Sequence, residues 1–375
     1  MIRLGTPRRA REGGQVLVFA ALLLPILLAM AGMAVDVGSY ADDKRTLQNA
    51  ADAIALAAAQ NLCTPNPADC SDTRPALAAA QAYAINNKID PSAMTVTFDH
   101  VEVTPMGNPT VHVSLSRNHS FTVMRIVGVN SRDVGAAAAA IKTSPGGMSG
   151  LKPWAVVYPP PASGTTATLK YDANNPQNGN FQAIQLDNTL GNGSPTYQNT
   201  IQFGSASIVC AQGVTTCATT SPVCPSYDVC PSETGNKVSA TRSGVDYLLN
   251  NTSASCSTFA QVFGAPDAYG QYTLNPDCNP WTSGPGACPT PDTVPPAQCS
   301  RRVIVIPVVT GFGNGKSPVT IVSFALFWLQ GYGAGGCTGS SCDITGTFVN
   351  AEVTVNALTG VYDAASAIHF VRLTQ

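Results

Sequence analysis

Twelve cysteines and four histidines are the side chains in this sequence best placed to do chemistry, and their spacing narrows what that chemistry is. The cysteines fall at 63, 70, 210, 217, 224, 230, 256, 278, 288, 299, 337 and 342, all beyond a long apolar run near the N-terminus. A zinc site needs close ligand pairs. There is no C-x-x-C, and His100, His112, His119 and His369 form neither H-x3-H nor H-E-x-x-H. An even cysteine count on one side of a membrane reads instead as disulfides in an oxidising compartment. Cys63 with Cys70 and Cys337 with Cys342 are the expected local bridges, because short loops bring their ends together readily. Nucleophilic catalysis has no foothold: there is no G-x-S-x-G, and an isolated Asp or Glu beside a Ser is not a triad. We expect neither an enzyme nor a cofactor. An oxygen-ligated cation could sit in the Asn/Asp-rich stretch from Tyr171 to Asn180, although a solvated turn is its default reading. Trp154, Tyr158, Tyr227, Tyr269, Tyr272 and Trp281, set among polar loops, are candidates for a ligand-binding surface or for ordinary packing.

These residues need elements to hold them. Val16 to Val35 are twenty residues without a charge, enough as a helix to span about 30 Å of hydrocarbon. Residues 1–15 carry Arg3, Arg8, Arg9 and Arg11 against Glu12, a local charge of +3 within a chain whose net charge is -2. That asymmetry, with Asp36, Asp42 and Asp43 beyond the span, predicts a single-pass anchor in the inner membrane. Its N-terminus is cytoplasmic and the bulk of the chain periplasmic or extracellular. Cleavage after Ala29-Met30-Ala31 is the rival, but the apolar run exceeds a signal-peptide h-region. The remainder has no basic face, which excludes nucleic acid as a partner.

After Asp36, Leu47, Ala51, Ile54, Ala58 and Leu62 keep helical spacing, so the membrane helix is expected to continue to about Leu62. Gln48, Asn49, Asp52 and Gln60 fall on its polar side and are the candidate partner contacts; a solvated face is the alternative. Arg74 to Asn87 predicts a second helix, with Pro75 in its first turn. Met94–Thr104 and Thr110–Ser116 alternate as a two-stranded hairpin with a bulge near Asp99. Phe121–Gly128 reads as a helical turn, Ser131–Lys142 as a third strand and Ser144–Gly150 as a linker. Beyond it, Phe181–Asp187, Arg301–Thr310, Val319–Gly331 and Phe348–Leu358 read as strands, and Cys210 to Cys299 as an excursion that needs covalent staples.

The expected fold is α+β: a cytoplasmic tail (1–15), a transmembrane helix (16–35) extended into a pilin-like helix-plus-sheet module (36–143), and a cysteine-rich, mostly β domain (151–375).

The stretch from Glu12 to Leu62 resembles the N-terminal domain of TadG-like proteins of the tight-adherence (Flp) pilus system. The likeness is carried by Gly14-Gln15 before the apolar run, Pro25 within it, Asp36-Val37-Gly38 at its outer end and the run from Leu47 to Ala53 followed by "ALAAA". The resemblance implies a membrane-anchored structural component of pilus assembly or its secretion machinery, with pilus-assembly proteins or pilin-like subunits as partners. The alternative is an envelope-anchored, adhesin-like binding module. Two features depart from the family: Phe19 stands where pseudopilins of this system carry Glu, and no D-x-S-x-S metal site of a von Willebrand factor A domain is present. Asp36-Val37-Gly38-Ser39 is only superficially close to the latter.

Overall fold

The computed structural model describes residues 13–64, 66–103, 107–170, 181–188, 190, 193–214, 217–266, 271–281, 300–339, 341–352, 357–364, 366 and 368–374. The chain opens with α1 (Gly13–Gln60), one uninterrupted helix of 48 residues containing Pro25, and then α2 (Arg74–Asn86). Three strands follow, β1 (Met94–Asp99), β2 (Thr110–Ser120) and β3 (Ser131–Thr143), with a 3-10 turn at Met124–Val127 between β2 and β3. Next come β4 (Pro145–Met148), β5 (Val156–Val157), β6 (Thr166–Lys170), α3 (Ser194–Phe203), β7 (Val209–Cys210), β8 (Val229–Pro231) and α4 (Val238–Asn250). The C-terminal part holds α5 (Phe259–Val262), β9 (Gln271–Tyr272), β10 (Val303–Val309), β11 (Pro318–Thr338), β12 (Ser341–Glu352), β13 (Ala357–Thr359) and β14 (Ile368–Leu373). The fold is α+β, as the sequence pattern predicts.

One sheet runs through both halves in the order β1-β2-β3-β14-β12-β11-β10-β5. The last strand joins them, pairing antiparallel with β3 and parallel with β12. On the N-terminal side, α1 from Leu47 onward packs between this sheet and α2. Leu47, Ala51, Ile54, Ala55, Ala58, Ala59 and Leu62 are buried with Ala76, Ala80 and Ala84 of α2 and Val111, Val113 and Leu115 of β2. Small alanine side chains let the helices approach closely, and the last turns of α1 are buried on most of their circumference, with Gln60 exposed at the end.

In the C-terminal half, β10 and β11 are apolar on both faces because both are covered. Val303, Val305, Phe324, Leu326 and Trp328 pack under the cysteine-rich segment. Ile304, Ile306, Ala325, Phe327 and Leu329 alternate with them and pack under α3 and α4 through Ile201, Val245 and Leu248. Disulfides Cys210–Cys217, Cys224–Cys230 and Cys256–Cys278 staple the first covering layer; Cys63–Cys70 and Cys337–Cys342 close two tight loops. Cys288 and Cys299 lie outside the described residues.

Three local expectations are corrected. Ser144–Gly150 is not a linker: Pro145–Met148 is a fully buried strand between β13 and β7. Its glycines serve close approach, since a Cβ on Gly147 would lie 2.4 Å from Cys217 Sγ and one on Gly146 2.7 Å from the Gly360 backbone. No bulge explains the phase change near Asp99. The strand ends there and His100 turns away with φ 54°. Phe181–Asp187 is buried but forms no ladder, because its amides bond alternately to two flanking segments: Ile184 N–H donates to Pro153 O and Gln185 N–H to Pro231 O.

Candidate functional site at the helix–sheet junction

The feature that sets α1 apart is an abrupt change of environment along one helix. Phe19, Leu22 to Leu24, Ile26 to Leu28, Met30, Met33 and Val35 are exposed large apolar side chains. The most apolar 18-residue window from Phe19 onward has a mean hydropathy of 2.2 and is only 6% buried, so by length and composition this part can cross a membrane. A stripe at Gly32, Asp36, Tyr40, Asp43 and Leu47 then meets the sheet, following the helical three-and-four spacing.

Asp36 is where contact with the sheet becomes specific. Its carboxylate, 2% exposed, accepts the backbone N–H groups of Thr122 (2.9 Å), Val123 (2.8 Å) and Met124 (2.7 Å), at the start of the 3-10 turn that follows β2. Burial raises the pKa of this carboxyl, but the three amide bonds outweigh it and hold the group below the usual carboxylate range. Within the next two turns, His119 Nδ1 lies 2.6 Å from Asp43 Oδ2 and its Nε2 3.4 Å from Ser39 Oγ, which donates back to Asp36 O. Arg117 reaches Asp43 at 3.7 Å. Tyr40 stacks on Phe121 and meets His119 edge-on.

The other end of α1 is held as well. Lys142 on β3, 5% exposed, donates from Nζ to Gln60 O (3.0 Å) and Leu62 O (2.9 Å). A cation on these terminal carbonyls satisfies acceptors the helix cannot and complements the negative end of its dipole. Beside Lys142, His369 is buried, its Nε2 donates to Asp363 O (2.9 Å) and its ring stacks on Tyr362. Burial pushes its pKa down to about 4, and the Lys142 charge acts in the same direction. An open cleft of about 820 Å³ borders this end, lined among others by Gln60, Asn61, Tyr272 and Arg372.

The four predicted contact residues separate. Gln48 Nε2 donates to Asp52 Oδ1 (2.8 Å) and to Ala137 O on β3 (3.0 Å), so this pair is turned toward the protein's own sheet. Asn49 and Gln60 are exposed. Of the six aromatic candidates, Trp154 is fully buried, Tyr227, Tyr272 and Trp281 pack against the core, and Tyr158 is exposed. Tyr269 and the proposed cation loop Tyr171–Asn180 lie outside the described residues. The Asp36 oxygens are occupied by amides, and no group of three or more His, Cys, Asp or Glu among the described residues could hold a metal ion.

Residues 14–61 match the family model described as putative Flp pilus-assembly TadE/G-like. This TadE/G-like segment coincides with α1 almost end to end and so includes both the exposed apolar half and the gripped half. No curated protein and no solved structure matches the chain. Sequence reasoning missed Asp43, His119 and Lys142, which are 74 or more residues from their partners and carry no local signature. Asp36 was visible as a lone carboxylate at the end of an apolar run, but not its use.

Proposed function

We propose that this protein is a membrane-anchored structural component of Flp pilus assembly or its associated secretion machinery. In this reading α1 crosses the inner membrane once, the arginine-rich tail is cytoplasmic, the remainder is extracytoplasmic and the role is not catalytic. The TadE/G-like match supports the pilus context, and the exposed apolar half of α1 supports the anchor. The observation that carries the mechanism is the Asp36 clamp. The helix leaving the apolar stretch is gripped at its first buried residue and continues as the core of the folded module. A flexible linker would let the module wander. A single helix, shared by anchor and core, transmits position and rotation from the membrane to the folded part. Side-by-side packing of subunits needs that property.

The test is photo-crosslinking in cells from Asn49 and Gln60, the two exposed residues among the four candidate contacts. Recovery of pilus-assembly proteins supports the reading. Recovery of surface glycans alone would replace it with an adhesin-like binding module.

A further inference from the structure

The β2–β3 connection, residues 121–130, meets the part of α1 assigned to the membrane and exposes two large apolar side chains, Ile126 and Val129, among Thr122, Arg125 and Asn130. Val123 abuts Gly32: a Cβ on that glycine would fall 2.6 Å from both Val123 methyl groups, so only glycine admits the contact. Gly32 precedes Val35 by three residues, about 4.5 Å along the helix axis, and therefore lies inside the apolar span. Asp36 pins the connection at this level by taking three of its amides, and Phe121 N–H closes its base by donating to Asn130 O. The tip is thus fixed against the membrane end of α1. Ile126 is 84% exposed and Val129 39% exposed, and Arg125 and Arg132 are exposed beside them. An exposed isoleucine flanked by arginines, held level with the end of a hydrophobic span, is the composition of an interfacial membrane contact.

We propose that the β2–β3 tip is a second membrane contact, which sets Ile126 and Val129 into the interfacial zone of the outer leaflet with Arg125 and Arg132 at the headgroup phosphates. The occupant is the lipid surface itself, because the patch is continuous with the apolar surface of the span through Gly32 and Val123. Two attachment points fix the tilt and rotation of the module on the bilayer, which one helix alone does not. The inference rests on the proposed membrane span.

The experiment uses the full chain in nanodiscs of phosphatidylethanolamine and phosphatidylglycerol. A nitroxide is attached to Ile126→Cys, to Leu24→Cys within the span or to Gln81→Cys, an exposed position on α2. The unsubstituted chain carried through the same labelling serves as the blank. Power-saturation electron paramagnetic resonance compares collisions with oxygen, which partitions into lipid, and with a water-soluble nickel chelate. The expected result is an oxygen-to-nickel accessibility ratio several-fold higher at Ile126 than at Gln81, and highest at Leu24. A lipid signature at Leu24 with Ile126 equal to Gln81 overturns the tip contact and leaves the span standing. An aqueous signature at Leu24 overturns the span and the tip with it. Because Ile126 is almost wholly exposed, its substitution leaves the fold intact.

Discussion

Ala53→Pro puts the continuity of α1 to a quantitative test. Ala53 lies in the gripped half of the helix, between Ala50, Ala51, Ile54 and Ala55, each no more than 2% exposed. Proline there removes the amide that bonds to the carbonyl of Asn49 and drives its ring against that carbonyl, costing about 3 kcal/mol or more. The close-packed neighbours leave little room for relaxation. Set against a typical stability of about 5–15 kcal/mol for a domain, the module should stay folded but open far more often. A 3 kcal/mol loss corresponds to roughly a hundredfold faster hydrogen exchange where exchange follows cooperative opening, which mass spectrometry resolves for peptides within 47–60. Ala53→Ser, at about 0.5 kcal/mol, is the matched mild change. The proline variant should also lose surface pili while its level and membrane location stay normal. Unchanged exchange protection would refute the structural reasoning, and unchanged piliation the mechanical role.

Four further outcomes are expected. Leu23→Arg with Leu27→Arg, each costing about 2.5–3.5 kcal/mol at mid-span, should release protein that otherwise stays in the pellet after alkaline carbonate extraction. Non-reducing peptide mapping should recover Cys63–Cys70, Cys210–Cys217, Cys224–Cys230, Cys256–Cys278 and Cys337–Cys342. Opening the 22-residue loop of Cys256–Cys278 should cost about 3 kcal/mol by chain entropy, and titratable thiols on these residues with bound zinc would reverse the compartment assignment. Unfolded His369 takes up its proton near pH 6.5 and the folded residue only near 4, so its contribution is complete above 6.5 and lost as pH falls from 6.5 to 4. At about 1.4 kcal/mol per unit this is of the order of 3 kcal/mol, and His369→Gln should flatten that part of the stability profile measured by urea unfolding. Lys142→Met should leave Gln60 O and Leu62 O without their donor, at about 1.5–3 kcal/mol, and speed exchange at the last turn of α1 before the rest.

What the sequence displays is set by how local the deciding interactions are. The twenty uncharged residues and the three-and-four spacing from Leu47 to Leu62 act within one helix, so α1 could be read directly. The hairpin β1–β2 and the short disulfide loops are local for the same reason. "SPGGMSG" misleads because Gly146 and Gly147 are needed for contact with Gly360 and Cys217, neighbours 70 or more residues away, and nothing nearby distinguishes them from flexible glycines. The helices α3 and α4 hide among Ser, Thr and Asn, which favour turns in isolation; burial over β10 and β11 overrides that preference. The Asp36 clamp is half legible: a carboxylate at the edge of an apolar run demands a partner, but its partners are backbone amides, which any sequence could supply.

The central claim, that the membrane helix and the module core act as one rigid piece, is tested most directly by four glycines inserted between Val35 and Asp36. This leaves the apolar span, the Asp36 clamp and the module's core intact and removes the mechanical connection, together with the Gly32–Val123 contact that spans it. With the variant at normal level and in the membrane, the account predicts that surface pili are lost. Wild-type piliation would contradict it and reduce α1 to a tether.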